Sequence, residues 1–422
     1  MKSLVDNRVF ILALHLKSES LSITEDSLLE MRRLAEALDF VVYGEEIQTR
    51  AKPDPKTYMG SGKLLEIKEI VQKQKIELVL LDHDLSPNQG KAIEKILGCM
   101  VWDRTQLILE IFAGHAKTPE ARNQVELAQL KYMLPRLVGL WAHLDREKGG
   151  ISASRGTGEK QINIDRTLIR RRISIVEKLL HKMEIERDTQ SKKRTQCFRV
   201  GIVGYTNAGK TTIMNRLTGS ELKEENKLFA TLDSTTRTLK GNNNPTIIIS
   251  DTVGFIQNLP HHLVASFRST LRVVVEADLL IHVVDSSSPN VEQQIKTTVD
   301  VLNDLGAGDI PEMMVFNKSD CLSDNIEKMI LKKTWPEGIF VSAFNKENME
   351  TLQELIRDFF YSTFVRDITR IDYEQSSLIS RFYKLGIVEK LQYKEDGIYV
   401  SHATTEANSK KLSSSIEERI EH

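Results

Sequence analysis

A strand, a glycine-containing loop and a helix follow one another between residues 198 and 217, and this run constrains the fold more than any other feature. Residues 198–203 form an apolar, strand-like stretch, and residues 204–211 read GYTNAGKT, which fits the pattern GxxxxGK[ST] in its required setting. The glycines let backbone N–H groups turn toward a phosphate, and the following helix N-terminus adds a favourable dipole. We expect Lys210 to reach the β- and γ-phosphates and the Thr211 hydroxyl to ligate Mg²⁺.

A second phosphate-side signal lies downstream of this loop. Residues 246–250 read as a β-branched strand that ends in Asp251-Thr252-Val253-Gly254. Asp251 would emerge at the carboxyl end of the strand, where it can hold the water shell of Mg²⁺, and the Gly254 N–H can approach the γ-phosphate. A DxxG turn alone is common, but its distance from the phosphate loop matches a strand-helix-strand-strand order.

The choice of base is predicted from residues that follow two later strands. One of these strands is 339–341, which leads into Ser342-Ala343-Phe344. After the strand at 312–316 comes Asn317-Lys318-Ser319-Asp320. Asp320 can accept hydrogen bonds from guanine N1–H and the N2 amine, whereas adenine offers neither and would leave the carboxylate unpaired. We expect Asn317 to brace the loop and reach the base, the Lys318 stem to pack over its face, and the Ala343 N–H to meet guanine O6.

Together, these four ordered signals predict a guanine-nucleotide site. Lys210, Thr231 and Gly254 are the candidate catalytic residues. The predicted nucleotide-binding residues are Gly204, Tyr205, Thr206, Asn207, Ala208, Gly209, Lys210, Thr211, Thr212, Phe229, Ala230, Thr231, Asp251, Thr252, Val253, Gly254, Asn317, Lys318, Asp320, Ser342, Ala343 and Phe344.

Residues 228–237, LFATLDSTTR, occupy the place of a switch that senses the γ-phosphate through a threonine on Mg²⁺. Thr231 lies 20 residues after Thr211 and 20 before Asp251, whereas Thr236 leaves only 15 residues before Asp251. We therefore predict Thr211 and Thr231 as the magnesium ligands. Thr235 and Thr236 are interpreted as solvated turn residues.

The residue after Gly254 is Phe255, where a Ras-like GTPase has a glutamine that orients the attacking water. An apolar ring cannot position water by hydrogen bonding, so we expect slow intrinsic hydrolysis that needs a group or rearrangement supplied by a partner. Gln257 lies nearby but out of register.

Composition excludes some classes of protein. With 422 residues, the chain is long enough for two or three domains, and its net charge of −1 is neither basic enough to declare a nucleic-acid binder nor acidic enough to suggest disorder. Cys99, Cys197 and Cys321 show no metal-ligand spacing and fit the reducing cytosol. The apolar stretch at 9–16 is too short for a membrane span and reads as a buried strand. We expect a cytoplasmic monomer and leave peripheral association with a membrane open.

The predicted fold class is α/β, with several regions. Residues 1–118 alternate strand-like and helix-like segments, which argues a small α/β domain with mostly parallel strands. The GSGK at 60–63 lacks the spacing of a phosphate loop and reads as a loop and helix start, although a second nucleotide in this half stays open. Residues 198–365 form a P-loop GTPase domain with a mostly parallel sheet and helices on both faces, and 366–422 a small C-terminal α/β domain.

Residues 119–197 are predicted to form a long antiparallel helical hairpin with a basic, glycine-containing loop at 149–160. Apolar side chains recur at helical spacing on both arms, which favours mutual burial. Arginines and a lysine cluster at or near the tip. A basic helix face is commonly just solvated, but a glycine-rich loop flanked by arginines can also neutralise RNA phosphates.

These motifs resemble the HflX GTPases. The likeness rests on GYTNAGKT, DTVGFI, NKSD and LFATLDSTTR, and extends to YMGSGK at 58–63, VWDRT at 101–105 and QVELAQL at 124–130. The resemblance implies a bacterial ribosome-associated GTPase that binds the large ribosomal subunit and acts in ribosome splitting, rescue or biogenesis. It favours RNA contact at the hairpin tip, through Arg155, Gly156, Lys160, Arg166, Arg170 and Arg171.

The chain departs from the family pattern in this region. Thr157 stands where the family's RGPGE loop has proline, Asn163 where a glutamate is usual, and Thr167 where an arginine is usual. These changes put the strength or specificity of the RNA contact in doubt and leave the GTPase prediction intact. Three functions therefore remain open: a ribosome-acting GTPase, a GTP-gated RNA-binding module with incidental hydrolysis, and an RNA-modification GTPase.

Overall fold

The structure is a computed structural model that describes residues 7–137, 155–191, 197–220, 228–229, 235–241, 246–257, 268–322 and 325–417. The chain packs into two compact units. The first comprises Met1–Thr189, Glu225–Asp233 and Val253–Leu271, and the second comprises Gln190–Glu224, Ser234–Thr252 and Arg272–His422. Two short segments from the middle of the predicted GTPase domain thus pack with the N-terminal unit. The predicted domain boundaries stay predictions.

The N-terminal unit contains a four-stranded sheet in the order β2-β1-β3-β4, and every strand pair is parallel. Its strands are β1 (Arg8–Leu16), β2 (Val41–Arg50), β3 (Leu78–Leu81) and β4 (Met100–Asp103). Its helices are α1 (Leu21–Ala37), α2 (Ser61–Gln74), α3 (Pro87–Leu97) and α4 (Arg104–His115). The predicted strand at 9–16 is confirmed, and the GSGK segment is the start of α2, as expected.

Local chemistry explains where these helices begin. The Ser86 side chain accepts from the Gln89 N–H while the Gln89 side chain accepts from the Ser86 N–H, a capping box followed by Pro87 at the first helical position. Asp103 closes β4 and caps α4 by accepting from the Gln106 N–H at 2.8 Å. One residue therefore ends a strand and starts the next helix.

Arg104 is 2 % exposed and forms the centre of a buried ionic cluster in this unit. Its guanidinium is paired with Glu30 and with Asp82, the latter at 2.6 Å. It also donates to the Ser27 hydroxyl at 3.3 Å. The cluster joins three elements, because α1 contributes Ser27 and Glu30, the end of β3 contributes Asp82 and the start of α4 contributes Arg104.

Two long helices follow: α5 (Pro119–Met133) and α6 (Arg155–Ser191). Arg172 on α6 binds Glu126 on α5 through two hydrogen bonds of 2.5 and 2.8 Å, and Lys131 pairs with Glu177 at 2.9 Å. Val176 is fully buried. The segment that would join the two arms, 138–154, lies outside the described residues.

Two expectations for this region are wrong. The described part of the predicted loop, 155–160, is helical, because α6 begins at Arg155. The two glycines there cost only about 1 kcal/mol each in a helix, which a long helix can absorb. Apolar residues at helical spacing on this arm are expected to be buried, but two of them, Leu168 and Leu179, are 55 % and 40 % exposed, although they lie within about 80° of the buried Val176 around the helix.

The second unit contains a six-stranded sheet in the order β10-β9-β8-β5-β7-β6. All pairs are parallel except β6 with β7. Its strands are β5 (Cys197–Gly204), β6 (Thr236–Thr238), β7 (Thr246–Asp251), β8 (Leu279–Asp285), β9 (Glu312–Asn317) and β10 (Ile339–Phe340). Its helices are α7 (Lys210–Thr218), α9 (Val291–Asp304), α10 (Asn325–Thr334) and α11 (Lys346–Ser362), together with the second half of α8 (Arg268–Val275), whose first four residues are assigned to the first unit. The predicted mostly parallel sheet is confirmed.

The C-terminal part adds a three-stranded antiparallel sheet in the order β11-β13-β12. Its strands are β11 (Val365–Ile371), β12 (Gly386–Lys394) and β13 (Gly397–Thr404). Helices α12 (Ile379–Leu385) and α13 (Glu406–Glu417) accompany it, and Leu378, Phe382, Val400 and Leu412 share its small core. Within the described ranges, every helix is too short or too polar to cross a membrane.

Replacing Arg104 with methionine should destabilise the N-terminal unit by about 3–5 kcal/mol, because Glu30 and Asp82 would be left buried without a counter-charge. Hydrogen exchange of α1 and β3 amides in the full chain measures this change. The triple variant R104M/E30Q/D82N serves as control and should recover most of the stability. A decrease below about 1 kcal/mol in R104M would contradict a role for the ion cluster in stability.

Candidate nucleotide-binding site

The phosphate loop connects β5, an interior strand between β8 and β7, to α7. Gly204 and Gly209 adopt φ of 141° and 93°, in the region that favours glycine. A side chain at Gly204 would collide with the backbone carbonyl of Val283 on β8, and one at Gly209 with the Asn317 amide. Both glycines are therefore required by close approach as well as by backbone conformation.

Lys210 is 7 % exposed, and its Nζ donates to the carbonyls of Gly204 at 3.1 Å and Tyr205 at 2.6 Å. The ammonium group is thus held by the phosphate loop, where Lys210 is predicted to bind the β- and γ-phosphates. Burial lowers the pKa of Lys210 to about 8, although the nearby Asp251 carboxylate opposes this shift. A bound phosphate would add negative charge and favour the protonated form.

Groups suited to a phosphate and its cation converge beside this lysine. The Thr211 hydroxyl donates to Asp251 Oδ2 at 2.7 Å, and Asp251 is fully buried at the end of β7. The other Asp251 oxygen accepts from the Thr252 N–H at 2.9 Å. The Thr206 hydroxyl is buried and has no hydrogen-bond partner among the described residues. A buried donor without a partner is costly, and a phosphate oxygen would satisfy it.

Asn317 joins three loops of the site and is 2 % exposed. Its Nδ2 donates to the Ala208 carbonyl of the phosphate loop at 2.9 Å, and its Oδ1 accepts from the Ala343 N–H at 3.1 Å. The bracing role predicted for Asn317 thus has a direct geometric counterpart. The Ala343 N–H, which is predicted to meet guanine O6, already has an acceptor, so its contact with the base stays a prediction.

The other two base-recognition residues are oriented by neighbours. Lys318 pairs with Asp285, the last residue of β8, at 2.6 Å, a partner that the motif does not reveal. Asp320 is exposed, and a hydrogen bond from the Ser342 side chain is the main cause that lowers its pKa. Asp320 therefore stays ionised and keeps acceptor capacity directed at solvent, as recognition of guanine N1–H and N2 requires.

The remaining predicted residues lie around this core. Thr252 donates its hydroxyl to the Ile202 carbonyl at 2.6 Å, Tyr205 is buried, and Thr212 is half-buried at the start of α7. Asn207 adopts a left-handed φ of 61° in the phosphate loop. Phe344 is 74 % exposed.

Of the three candidate threonines in the predicted γ-phosphate switch, the structure describes Thr235 and Thr236. Thr236 is a strand residue of β6 whose hydroxyl lies 2.9 Å from that of Ser250, and the Thr235 carbonyl accepts from the Asp251 N–H at 3.0 Å. Thr236 is solvent-exposed, as expected, but it lies on a strand that pairs with β7, so its interpretation as a turn residue is wrong. Thr235 is half-buried immediately before that strand. Ala230 and Thr231 lie outside the described residues.

Segments from both predicted switches pack within the N-terminal unit. The Phe229 ring meets Phe112 of α4 edge-on, with ring centroids 4.7 Å apart, and Phe229 is 2 % exposed. The Gln257 carbonyl accepts from the buried Arg104 at 3.2 Å. Phe255 is also buried, at 1 % exposed. Sequence reasoning missed Arg104 and Phe112 because no motif links them to the switches.

The predicted RNA-contact residues lie on α6. Arg170 and Arg171 are exposed and form no ion pair with any described acidic residue, whereas Arg166 is half-buried. Arg172, their neighbour, is neutralised by Glu126. For Arg155, Gly156 and Lys160 the structure gives only the helical backbone.

Three family models match the chain in order. They are described as GTP-binding GTPase N-terminal (residues 25–113), GTP-binding GTPase Middle Region (115–194) and 50S ribosome-binding GTPase (199–318). A GTPase HflX of Flavobacterium psychrophilum is 42% identical over 379 residues, covering 83% of this chain and 90% of its own. The chain belongs to the HflX GTPase family. It is a GTPase, as the phosphate-loop and NKSD geometry indicates.

Two further similar proteins also match 83% of this chain. GTPase HflX of Escherichia coli is 40% identical over 353 residues, covering 83% of this chain and 82% of its own. A crystal structure of a GTP-binding protein from Sulfolobus solfataricus in complex with GDP is 26% identical, covers 83% of this chain and 97% of its own, and has a TM-score of 0.44. The two HflX relatives confirm the predicted family. The match to a GTPase family model and the parallel sheet described above confirm the predicted α/β P-loop fold class.

The variant D320N should lose GTP affinity by about 100-fold or more, because the asparagine amide presents a donor to guanine N1–H and N2. It should gain affinity for xanthosine triphosphate, whose 2-oxo group accepts from that amide. Titration with fluorescent analogues of both nucleotides measures this change in base preference. S319A, which alters the neighbouring residue only, is the control. Equal GTP affinity in D320N and S319A would remove Asp320 from base recognition.

The lowered pKa of Lys210 predicts a pH-dependent affinity. Phosphate binds the protonated ammonium, so affinity for GDP is retained below pH 8 and falls by up to about tenfold per pH unit above it. The affinity for GDP measured between pH 7 and 9.5 tests this prediction. The K210A variant is the reference, because any effect of deprotonating the guanine base remains in it while the Lys210 ammonium group is absent. The idea fails if wild type and K210A show the same pH profile.

Proposed function

We propose that this chain binds the large ribosomal subunit through ribosomal RNA at α6 and hydrolyses GTP to GDP and phosphate with stimulation by that partner. The match to a 50S ribosome-binding GTPase model supports the choice of partner. The observation that carries the RNA contact is the exposed Arg170–Arg171 pair. Both guanidinium groups lack a described acidic partner, and such arginines are the side chains that neutralise RNA phosphates.

Magnesium belongs to this proposal. The Thr211 hydroxyl and the buried Asp251 carboxylate share a hydrogen bond of 2.7 Å, an oxygen donor pair that fits Mg²⁺ bound mainly by phosphates and water. We propose that Thr211 ligates the ion directly, that Asp251 holds its water shell, and that Thr231 completes the set in the triphosphate state. The ion would neutralise charge that develops on the phosphates.

Dependence on a partner is supported by the residues after Gly254. Phe255 is buried, and the Gln257 backbone is held by Arg104, so these positions serve packing. We propose that the large subunit supplies or rearranges the group that orients water. We further propose that the protein is a cytoplasmic monomer and that hydrolysis weakens its binding to the large subunit and so releases it.

Hydrolysis measured with and without purified large subunits separates two functions. Strong stimulation by the subunit is expected for a ribosome-acting GTPase. Binding of the subunit without stimulation would instead support a GTP-gated RNA-binding module and would contradict the proposed cycle.

Charge reversal in R170E/R171E should weaken binding to the large subunit and make the dependence on salt shallower, by about 0.7–0.9 in log–log slope for each phosphate that the variant no longer neutralises. The control K178E/K182E changes the same charge on exposed residues of the same helix. Sedimentation with subunits at several salt concentrations measures both. If the two variants bind alike, the RNA contact does not lie at this pair.

A further inference from the structure

A groove of about 550 Å³ opens in the second unit beside the loop that follows β10. It lies between α7, the turn after β6 and the first turns of α11. Its lining residues are Arg216, Lys240, Gly241, Ala343, Phe344, Lys346, Met349, Glu350, Gln353 and Arg357. The phosphate loop and the NKSD residues do not line the groove, whereas Ala343 and Phe344, which belong to the predicted nucleotide-binding set, do. The groove therefore adjoins the base end of the guanine site without including the guanine-recognition carboxylate of Asp320.

The groove is strongly cationic. Four basic side chains line it against one acidic residue, Glu350, which lies 3.6 Å from Lys346 and so neutralises one of them. Arg216 and Lys240 are exposed and have no ion pair with a described residue. Two cations left without counter-charge at one groove indicate an anionic occupant.

One of the cationic groups is held in place. Arg357 on α11 donates to the Lys240 carbonyl at 2.6 Å, which fixes its guanidinium beside the turn that carries Lys240. The Gln353 side chain donates to the Leu217 carbonyl at 3.1 Å and ties α11 to the end of α7. The walls of the groove are thus joined by two hydrogen bonds.

The rim of the groove carries an exposed aromatic ring. Phe344 is 74 % exposed, and the Arg216 guanidinium lies 6.0 Å from its ring centroid. A flat apolar ring in water next to cationic side chains is the combination that binds single-stranded nucleic acid, since bases stack on the ring while phosphates meet the cations. An acidic peptide would use the cations but has no need of the ring.

We propose that this groove binds single-stranded RNA, with one base stacked on Phe344 and the adjoining phosphates held by Arg216 and Lys240. The volume suits one nucleotide unit. Charge and stacking argue for a nucleic acid, and the choice of RNA over DNA rests on the proposed ribosomal function. These residues differ from the arginines of α6, so the two proposed RNA-binding surfaces can be tested independently of each other.

The test uses the full chain loaded with GDP in an R170E/R171E background, which removes the proposed α6 contact. Fluorescence anisotropy with a labelled ten-residue oligouridine compares R216E/K240E with K296E/K333E. The control makes the same charge change on exposed lysines of α9 and α10. Affinity should fall about tenfold in R216E/K240E only, and the salt slope should become shallower by about 0.7 for each phosphate that is no longer neutralised.

Two further measurements identify the occupant. Photocrosslinking with 5-iodouridine RNA should label the peptide that contains Phe344. Fluorescent GDP should bind R216E/K240E and the control with equal affinity. Loss of GDP binding in R216E/K240E would show that the groove belongs to the guanine site and would overturn the proposal.

The proposal is equally overturned if both variants bind the oligouridine alike, or if the crosslink falls elsewhere. Displacement of the RNA by polyglutamate as effectively as by unlabelled oligouridine at equal charge would assign the groove to an acidic polypeptide. Stronger binding of the matching DNA oligonucleotide would also contradict it, because the proposal names RNA.

Discussion

The buried amide of Asn317 is the interaction on which the rest of the nucleotide site depends. It donates to Ala208 in the phosphate loop and accepts from Ala343 in the loop after β10. These three loops are distant in sequence and share no continuous element, so a single side chain sets their spacing. Gly209 has no side chain because the Asn317 amide occupies the space that one would fill. Phosphate binding and base recognition are therefore coupled through one hydrogen-bonded group.

Electrostatics divides the site into a buried phosphate end and an exposed base end. Lys210 and Asp251 are buried and Thr211 is half-buried, so the interactions among them act in a lower effective dielectric than water. Asp320 is exposed, and the Ser342 side chain that helps to keep it ionised lies beside it. Burial at the phosphate end strengthens attraction for a highly charged group, whereas exposure at the base end lets a neutral ring be selected by hydrogen bonds.

Much of this site is predictable because its chemistry lies in contiguous motifs at strand ends. The phosphate loop, Asp251 and the NKSD residues all occupy such positions, and a parallel sheet brings its strand ends to one edge. Partners across the fold are not predictable. Asp285 pairs with Lys318 from a neighbouring strand, and Arg104 reaches Gln257 over a separation of 153 residues. Neither pairing leaves a local pattern.

Periodicity and turn chemistry also reach their limit at particular residues. Three residues form too short a strand to show alternation, so Thr236 resembles a turn residue in the sequence, yet β6 pairs with β7 beside Asp251. On α6, apolar spacing predicts burial of Leu168 and Leu179, although a single helix face can bury only part of such a broad stripe. No sequence pattern indicates that Phe229 packs against Phe112 or that Gln257 is bound by Arg104 of the N-terminal unit.

The packing of Phe229 and Gln257 bears on how a switch could be controlled. Phe229 adopts a left-handed φ of 57°, a conformation that an aromatic residue rarely takes, while its ring is buried against Phe112. The burial of a large ring offsets that backbone cost, since it removes apolar surface from water. Gln257 is held by an arginine whose own charge is satisfied by Glu30 and Asp82. Residues that flank the predicted γ-phosphate sensors are thus held by strong packing and charge, so any rearrangement there must break contacts inside the N-terminal unit. Such a cost agrees with the proposal that the large subunit stimulates hydrolysis, because binding to a partner can compensate for the contacts that are broken.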